Sequence, residues 1–481
     1  MKRIAKCNLL ISMLMISLFC NASDEVLPDS IAIRFNKQLQ LYPQEKLYVQ
    51  TDKPYYIGGE DLWFRAFLTD YTSNIPDTTS RYVYTELVDP MDSVLVRVKT
   101  IPRDGAYYGS ILLREDLPEG MYRLRSYTRY MEGLGEDYFF RRNIYIGDSL
   151  SADYRTLADF TFDNEEKELR IRLRVEEIKT GSLFEAKELR VQNRKGEMQV
   201  LKMSEDSIYR YNCRVEKDLQ NRLLYIEYDY LGRYHKQYIP VPYPETEYDV
   251  SFLPEGGCFP SETSVKIAFK ALSGDGLGEE ITGEVLDSVG IVRAKFESNV
   301  LGMGTFSLKA MAGERLYANC KNRAGVVKRF ELPVAEPSVC TLGGQWTGNI
   351  LNLYVTVASD AVVPDSLYLL IHTRGALLYC AVWDGNRKYL QIKNSELPSG
   401  VLQAVLVDSN MVPLSERLFF NLNEADLCNL EYHTNSSVYH KRELIDTEVK
   451  VEENDSIQVS GNFSVSVTSD KDITRIHRIR F

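Results

Sequence analysis

Hydrophobic and polar residues alternate with a period of two along almost the whole chain. Leu169, Ile171, Leu173 and Val175 are separated by Arg170, Arg172 and Arg174. Val265, Ile267 and Phe269 are separated by Lys266 and Ala268, and Leu351, Leu353, Val355 and Val357 by Asn352, Tyr354 and Thr356. Such alternation turns one face of a strand to a core and the other to solvent. Turn clusters divide the runs: RDGAYYG at 103–109, NRKGE at 193–197, SGDGLG at 273–278 and WDGNRK at 383–388. The long crossover helices that parallel sheets require are missing from the pattern. The expected fold class is therefore all-β, with antiparallel β-sandwiches in tandem. One short N-terminal helix is predicted from Ser30 to Leu41, where Ile31, Phe35 and Leu39 share a face.

Two internal echoes support similar units. DLPEGMYRLRSYT (116–128) resembles ELPSGVLQAVLVD (396–408), and GAYYGSILL (105–113) resembles GMGTFSLKA (302–310). The spacing is that of domains near 100 residues, not of a solenoid. Junction-like stretches then divide the chain. Residues 1–22 form a signal peptide and 23–44 a helical segment. Sandwiches are expected over 45–148, 149–246, 247–335 and 336–425, with an incomplete sandwich and tail over 426–481. In that tail Phe463, Val465 and Val467 alternate with Ser464, Ser466 and Thr468, which predicts a last strand. Ile473, Ile476 and Ile479 then recur every third residue, which suits no strand. The expectation is a truncated relative of a longer protein, poorly ordered after about 469.

The N-terminus changes the compartment. Lys2, Arg3 and Lys6 precede the apolar run Leu9–Phe19, and Cys20-Asn21-Ala22 offers a small-residue cleavage site, so the mature chain is expected to begin at Ser23. Lipidation of Cys20 ranks second, because Phe19 precedes it. Cleavage takes the net charge from −11 to about −14 by removing three cationic residues. An acidic chain is a poor general nucleic-acid binder, and no later segment is apolar enough to span a bilayer. An exported protein of the periplasm, the outer membrane or the cell surface is expected. Cys213, Cys258, Cys320, Cys340, Cys380 and Cys428 remain after cleavage, without CxxC spacing. Isolated core thiols are expected, with Cys320–Cys340 the one pairing worth testing.

The stretch YVQTDKPYYIGGEDLWFRAFLTD (48–70) reads as strand, turn and strand. Leu62, Phe64, Ala66 and Leu68 point one way, and Trp63, Arg65 and Phe67 the other. Asp52 is placed to close an Asx-turn, and Gly58 or Gly59 to take a positive φ or form a bulge. Thr51, Asp52, Lys53, Tyr56, Gly58, Gly59, Glu60, Phe64 and Arg65 together closely resemble a motif of the macroglobulin domains of alpha-2-macroglobulin and complement proteins. FLPEGGCFPSETSVKIAFKALSGDGLG (252–278) and LPEGMYRLRSYTRYM (117–131) are similar to units of large exported bacterial proteins that string such domains together. The resemblance implies macroglobulin- or fibronectin-III-like sandwiches. It also implies relatives that continue into a TonB-receptor plug or a carboxypeptidase-regulatory-like domain. Macroglobulin inhibitors trap proteases through a thioester in Cys-Gly-Glu-Gln. This chain has no such run, and Cys258 in EGGCFPSE lacks the Gln, so covalent trapping does not carry over.

No other constellation suggests catalysis. The five histidines make no HExxH pair, and there is neither a GxSxG elbow nor a Walker loop. No catalytic, cofactor-binding or metal residues are assigned, and GDGLGEE (274–280) reads as a turn rather than a calcium loop. Arg170, Arg172 and Arg174 form a candidate binding stripe for an anionic partner; the plainer reading pairs them with cross-strand acids such as Glu188. Trp63 and Tyr127–Tyr130 are candidate stacking residues for glycan or protein. The resulting expectation is a non-enzymatic envelope scaffold or binding module whose partner is another envelope protein. A carbohydrate-uptake accessory or TonB-receptor-associated component that contacts glycan is the second reading, and a non-covalent protease-interacting protein the third.

Overall fold

The alternating runs become strands, and four successive strand sets share one order. The computed structural model describes residues 26–148, 153–163, 168–186, 188–193, 196–214, 222–230, 232–359, 367–453, 457–458 and 463–467. The expected signal peptide and the tail beyond Val467 lie outside the described residues.

Helix α1 (Val26–Leu41) begins four residues before the predicted start. The first strand set comprises β1 (Glu45–Thr51), β2 (Tyr55–Ile57), β3 (Asp61–Asp70), β4 (Val83–Val88), β5 (Val94–Thr100), β6 (Pro102–Arg103), β7 (Ala106–Leu112), β8 (Gly120–Thr128) and β9 (Phe140–Gly147). Short helix α2 (Arg129–Leu134) follows β8 and is capped by the Thr128 hydroxyl, which accepts from Met131 N–H at 3.1 Å. The set makes two sheets, β1-β3-β7-β6 and β2-β9-β8-β4-β5. The second set is β10 (Tyr154–Asp163), β11 (Glu168–Glu177), β12 (Leu189–Asn193), β13 (Gln199–Leu201), β14 (Tyr209–Arg214), β15 (Leu223–Tyr230) and β16 (Arg233–Pro240). Its sheets run β10-β11-β14 and β13-β12-β15-β16.

The third set is β17 (Tyr248–Pro254), β18 (Val265–Ser273), β19 (Ile281–Leu286), β20 (Val292–Glu297), β21 (Met303–Leu308), β22 (Tyr317–Asn322) and β23 (Val327–Glu331). The fourth is β24 (Cys340–Thr347), β25 (Ile350–Val357), β26 (Tyr368–Thr373), β27 (Ala376–Val382), β28 (Leu390–Lys393), β29 (Gly400–Val407) and β30 (Pro413–Asn421). In both, as in the second, strands one, two and five form one sheet and strands four, three, six and seven the other. The first set keeps this plan and adds β6 and β2, the latter pairing parallel with β9. The chain is thus a tandem of antiparallel sandwiches. A last sheet, β31 (Asn429–Thr434), β32 (Thr447–Glu453) and β33 (Ile457–Gln458), has no facing sheet among the described residues and leaves Leu430 and Tyr432 exposed. The first and second sets with residues 463–467 belong to one compact unit; α1, the third and fourth sets and the last sheet belong to another.

The sequence echoes mark equivalent strands. The two Leu-Pro segments lead into β8 and β29, each the sixth strand of its plan, and the other two echoes form β7 and β21, each the fifth. Every set has its own core: Val49, Leu62 and Leu124 in the first, Ile171, Leu189 and Ile226 in the second, Ile267, Phe269 and Val285 in the third, and Leu342, Leu369 and Leu402 in the fourth. Each such side chain contributes about 1.5–3 kcal/mol on full burial. Three cross-strand pairs set a core aromatic over a glycine, Phe64–Gly109, Phe269–Gly304 and Phe296–Gly283, and half-buried Tyr354 covers Gly343 in the same way. A Cβ at Gly304 would lie 2.5 Å from the Phe269 ring and 2.7 Å from the Glu297 carbonyl, so the ring occupies the space a side chain would need.

Several expectations change. The Cys320–Cys340 pairing does not form: both are free thiols, and burial pushes that of Cys320 up to about 12. Arg170 pairs with Asp163 at 2.9 Å and Arg174 with Asp159 at 3.1 Å, both acids on β10, whereas Glu188, just before β12, pairs with Arg190. The register, not the alternation, decides those partners. Residues 463–467 form no strand and join no sheet, so the predicted last strand is absent; the side chains of Ser464 and Ser466 hydrogen-bond to the first sandwich, while Phe463, Val465 and Val467 are exposed.

Candidate binding face on the first sandwich

The Thr51–Arg65 stretch folds as a turn that locks β1 to β3. Asp52 Oδ1 accepts from Tyr56 Oη at 2.6 Å and from Trp63 N–H at 3.0 Å. Thr51 Oγ1 donates to the Lys53 carbonyl at 2.9 Å. Glu60 accepts from Ile57 N–H at 2.9 Å and pairs with Lys53 Nζ at 2.7 Å. Burial raises the Glu60 carboxyl, but Lys53 and the Ile57 N–H outweigh it and hold it below the usual range. Burial, reinforced by Asp52, pushes the Tyr56 phenol well up and keeps it a neutral donor. Gly59 takes φ +94°, and its N–H donates to Leu113 O at 3.0 Å. A Cβ at Gly58 would lie 3.1 Å from two backbone carbonyl oxygens, those of Arg114 and Glu115. Phe64 enters the core. Of the motif residues, Arg65 alone reaches the outer face of the sheet at its centre.

That outer face is aromatic around one cation. Register places Gln50, Arg65 and Tyr108 in one row across β1, β3 and β7, with Tyr48 opposite Phe67 and Trp63 opposite Ser110. The Arg65 guanidinium lies 5.1 Å from the Phe67 ring centre and 4.8 Å from that of Tyr108. Trp63 is 57% exposed, Tyr48 56% and Tyr108 42%. Beside them opens a groove of about 690 Å³ between this face and residues 98–103. Residues 463–467 lie along it. Arg65 Nη1 donates to the Phe463 carbonyl at 2.7 Å. The Ser464 hydroxyl donates to Gln50 Oε1, while Gln50 Nε2 donates to Ser466 Oγ at 3.2 Å. Ser466 Oγ in turn donates to the Thr51 carbonyl at 3.3 Å.

The other candidates lie elsewhere. Arg170, Arg172 and Arg174 sit on β11 of the second sandwich, and two of the three are neutralised by the ion pairs above. Tyr127 is buried and stacks on Phe139 at 4.4 Å, so it is a core residue. Sequence reading placed Trp63, Arg65 and Phe67 on one side of a strand. It missed Tyr108 and the serines of 463–467, because neither the β3–β7 register nor a contact across about 400 positions leaves a local signal. Among the described residues no group of three or more His, Cys, Asp or Glu is placed to hold a metal ion. None of the described helices is long and apolar enough to cross a membrane, which leaves β-barrels unaddressed.

Comparison with solved structures adds one resemblance. The chain is similar to bacterial alpha-2-macroglobulins. The trypsin-activated Escherichia coli protein matches 86% of this chain and 33% of its own length at 11% identity and TM-score 0.35. The Salmonella protein reacted with methylamine matches 85% and 32% at 12% identity and TM-score 0.33. The Escherichia coli adhesin FdeC matches 60% of this chain and 96% of its own at 12% identity and TM-score 0.23. The chain spans about a third of the length of the macroglobulin structures it matches. No family model and no curated protein matches it in sequence.

Proposed function

We propose that this chain is a non-enzymatic binding scaffold of the cell envelope, exported by residues 1–22, that docks another protein on the outer face of its first sandwich. The observation that carries the reading is Arg65, held at the centre of an exposed aromatic face with its guanidinium on the Phe463 carbonyl. Exposed Trp and Tyr around an Arg are the side chains that dominate protein interfaces. The carboxylates of the motif support a passive role: Asp52 and Glu60 are both engaged in closing the turn. The sandwiches, divided near 148, 246 and 335, serve as spacers that present this face.

The test uses tagged, crosslinked full-length chain in its source cells. Recovery of a specific envelope protein should fall at least about tenfold in Trp63→Ala/Arg65→Ala, the loss expected when a hot-spot pair is removed, and stay unchanged in Arg172→Ala. Equal recovery with all three chains would overturn the reading. The exposed Trp63 also favours stacking on a sugar ring. Loss of binding to surface polysaccharide, with no protein recovered, would transfer the face to glycan.

A further inference from the structure

We infer that the groove over Gln50 and Arg65 is a site for extended polypeptide carrying hydroxyl side chains two residues apart, and that residues 463–467 are its resident occupant. This deepens the docking reading above by naming the class of ligand. In an extended chain, residues i and i+2 point to the same side, roughly 6.6–7 Å apart. Ser464 and Ser466 are two residues apart in sequence, and one carboxamide serves both: Gln50 Oε1 accepts from the first and Gln50 Nε2 donates to the second. A single Gln on an edge strand thus reads a Ser/Thr-x-Ser/Thr pattern. Arg65 binds a main-chain carbonyl, which any residue supplies, so it adds affinity without constraining sequence.

The way the occupant sits argues that it can exchange. Phe463, Val465 and Val467 are all exposed, Val467 to 86%, so no apolar pocket fixes the segment. Its described contacts with β1 and β3 are hydrogen bonds, whose protein–protein form replaces water at small net gain. Being part of the same chain, it holds the groove by effective concentration rather than by intrinsic affinity. A partner segment of the same pattern must displace it, and the groove is therefore self-occupied until a competitor arrives.

The experiment titrates a fluorescein-labelled Phe-Ser-Val-Ser-Val peptide, acetylated and joined to the dye through a C-terminal linker, against full-length chains. The probe should bind the Ser464→Ala/Ser466→Ala chain about tenfold more tightly than the unaltered chain, because the resident segment then competes poorly. Adding Arg65→Ala to that chain should cost about tenfold, the loss of one charge-assisted hydrogen bond. Gln50→Ala, on the solvent side of an edge strand, should do the same without risk to the fold, and a Phe-Ala-Val-Ala-Val probe should bind as weakly. Absence of binding to every chain, equal binding to the unaltered and serine-variant chains, or indifference to both Gln50→Ala and Arg65→Ala would each overturn the inference. If the peptide fails while envelope-protein recovery still depends on Trp63 and Arg65, only the ligand class falls. If both fail, the docking reading falls with it.

Discussion

Glu86 shows how this chain handles charge inside a sandwich. Its side chain is fully buried between β5 and β8, where Arg97 and Arg125 pair with it and Tyr127 Oη donates to it at 2.8 Å. Burial raises its carboxyl, but the hydrogen bonds from Tyr127, Arg125 and Arg97 outweigh this and hold it below the usual range. A carboxyl with a lowered folded pKa stabilises fully above its unfolded value, about 4.3, and loses that contribution as pH falls through the folded value. Acid melting followed by a probe in the first sandwich should therefore begin below about pH 4.3. Glu86→Gln should flatten that acid limb and cost about 2–3 kcal/mol at neutral pH, because two guanidinium groups lose their counter-charge. An unchanged acid limb in Glu86→Gln would show that other carboxyls set it. None of this was legible beforehand: VYTELV shows no alternation that would mark Glu86 as buried, and only the register with Arg97 and Arg125 reveals the cluster.

At the scale of elements, α1 is the clearest success of pattern reading and also carries a device the pattern hid. Ile31 and Phe35 pack on Tyr368, Leu370 and Val407, the outer face of a sheet whose other side faces the fourth core. Phe35 also lies 5.6 Å from the His372 ring. Burial lowers the His372 pKa, with Glu416 opposing. A histidine lowered in the folded state stabilises above its unfolded pKa, about 6.5, and loses that contribution as pH falls further. Amides of 26–41 should exchange faster at pH 5.5 than at pH 7.5, and His372→Gln should remove much of the difference. A helix equally protected at both values would contradict the coupling. The face shared by Ile31, Phe35 and Leu39 was readable from a 3.6-residue period; the sheet it covers was not, because docking onto a strand about 340 positions away is a tertiary choice.

Across the whole molecule, successive sandwiches within a compact unit are joined by hydrogen bonds, and the joints explain sequence features that local reading left bare. Between the first and second, Glu119 N–H donates to Lys236 O and Tyr238 N–H to Glu119 O, both at 2.7 Å, and buried His235 lies 3.2 Å from Asp148. Between the third and fourth, Ser415 Oγ donates to Gly256 O at 2.6 Å, and Leu342 N–H donates to Ser415 Oγ at 2.8 Å. Gly256 has φ +78°, and a Cβ there would lie 2.1 Å from Thr341 Oγ1. The EGG of FLPEGGCFP is therefore a joint, a meaning invisible without the next sandwich in place. Gly256→Ala should cost about 2–3 kcal/mol through combined strain and overlap. By calorimetry it should split one transition of the third and fourth sandwiches into two. A single unshifted transition would show the joint to be dispensable.

These joints bear on the proposed docking, in which the first sandwich presents its outer face to a partner protein. The most direct measurement places a photo-crosslinking amino acid at position 48, on the outer face of β1, and separately at position 172, on the outer face of β11, in full-length chain in its source cells. The account predicts one discrete protein adduct from position 48, lost on adding Arg65→Ala, and none of that mass from position 172. Adducts of the same protein from both positions, or from position 172 alone, would contradict it.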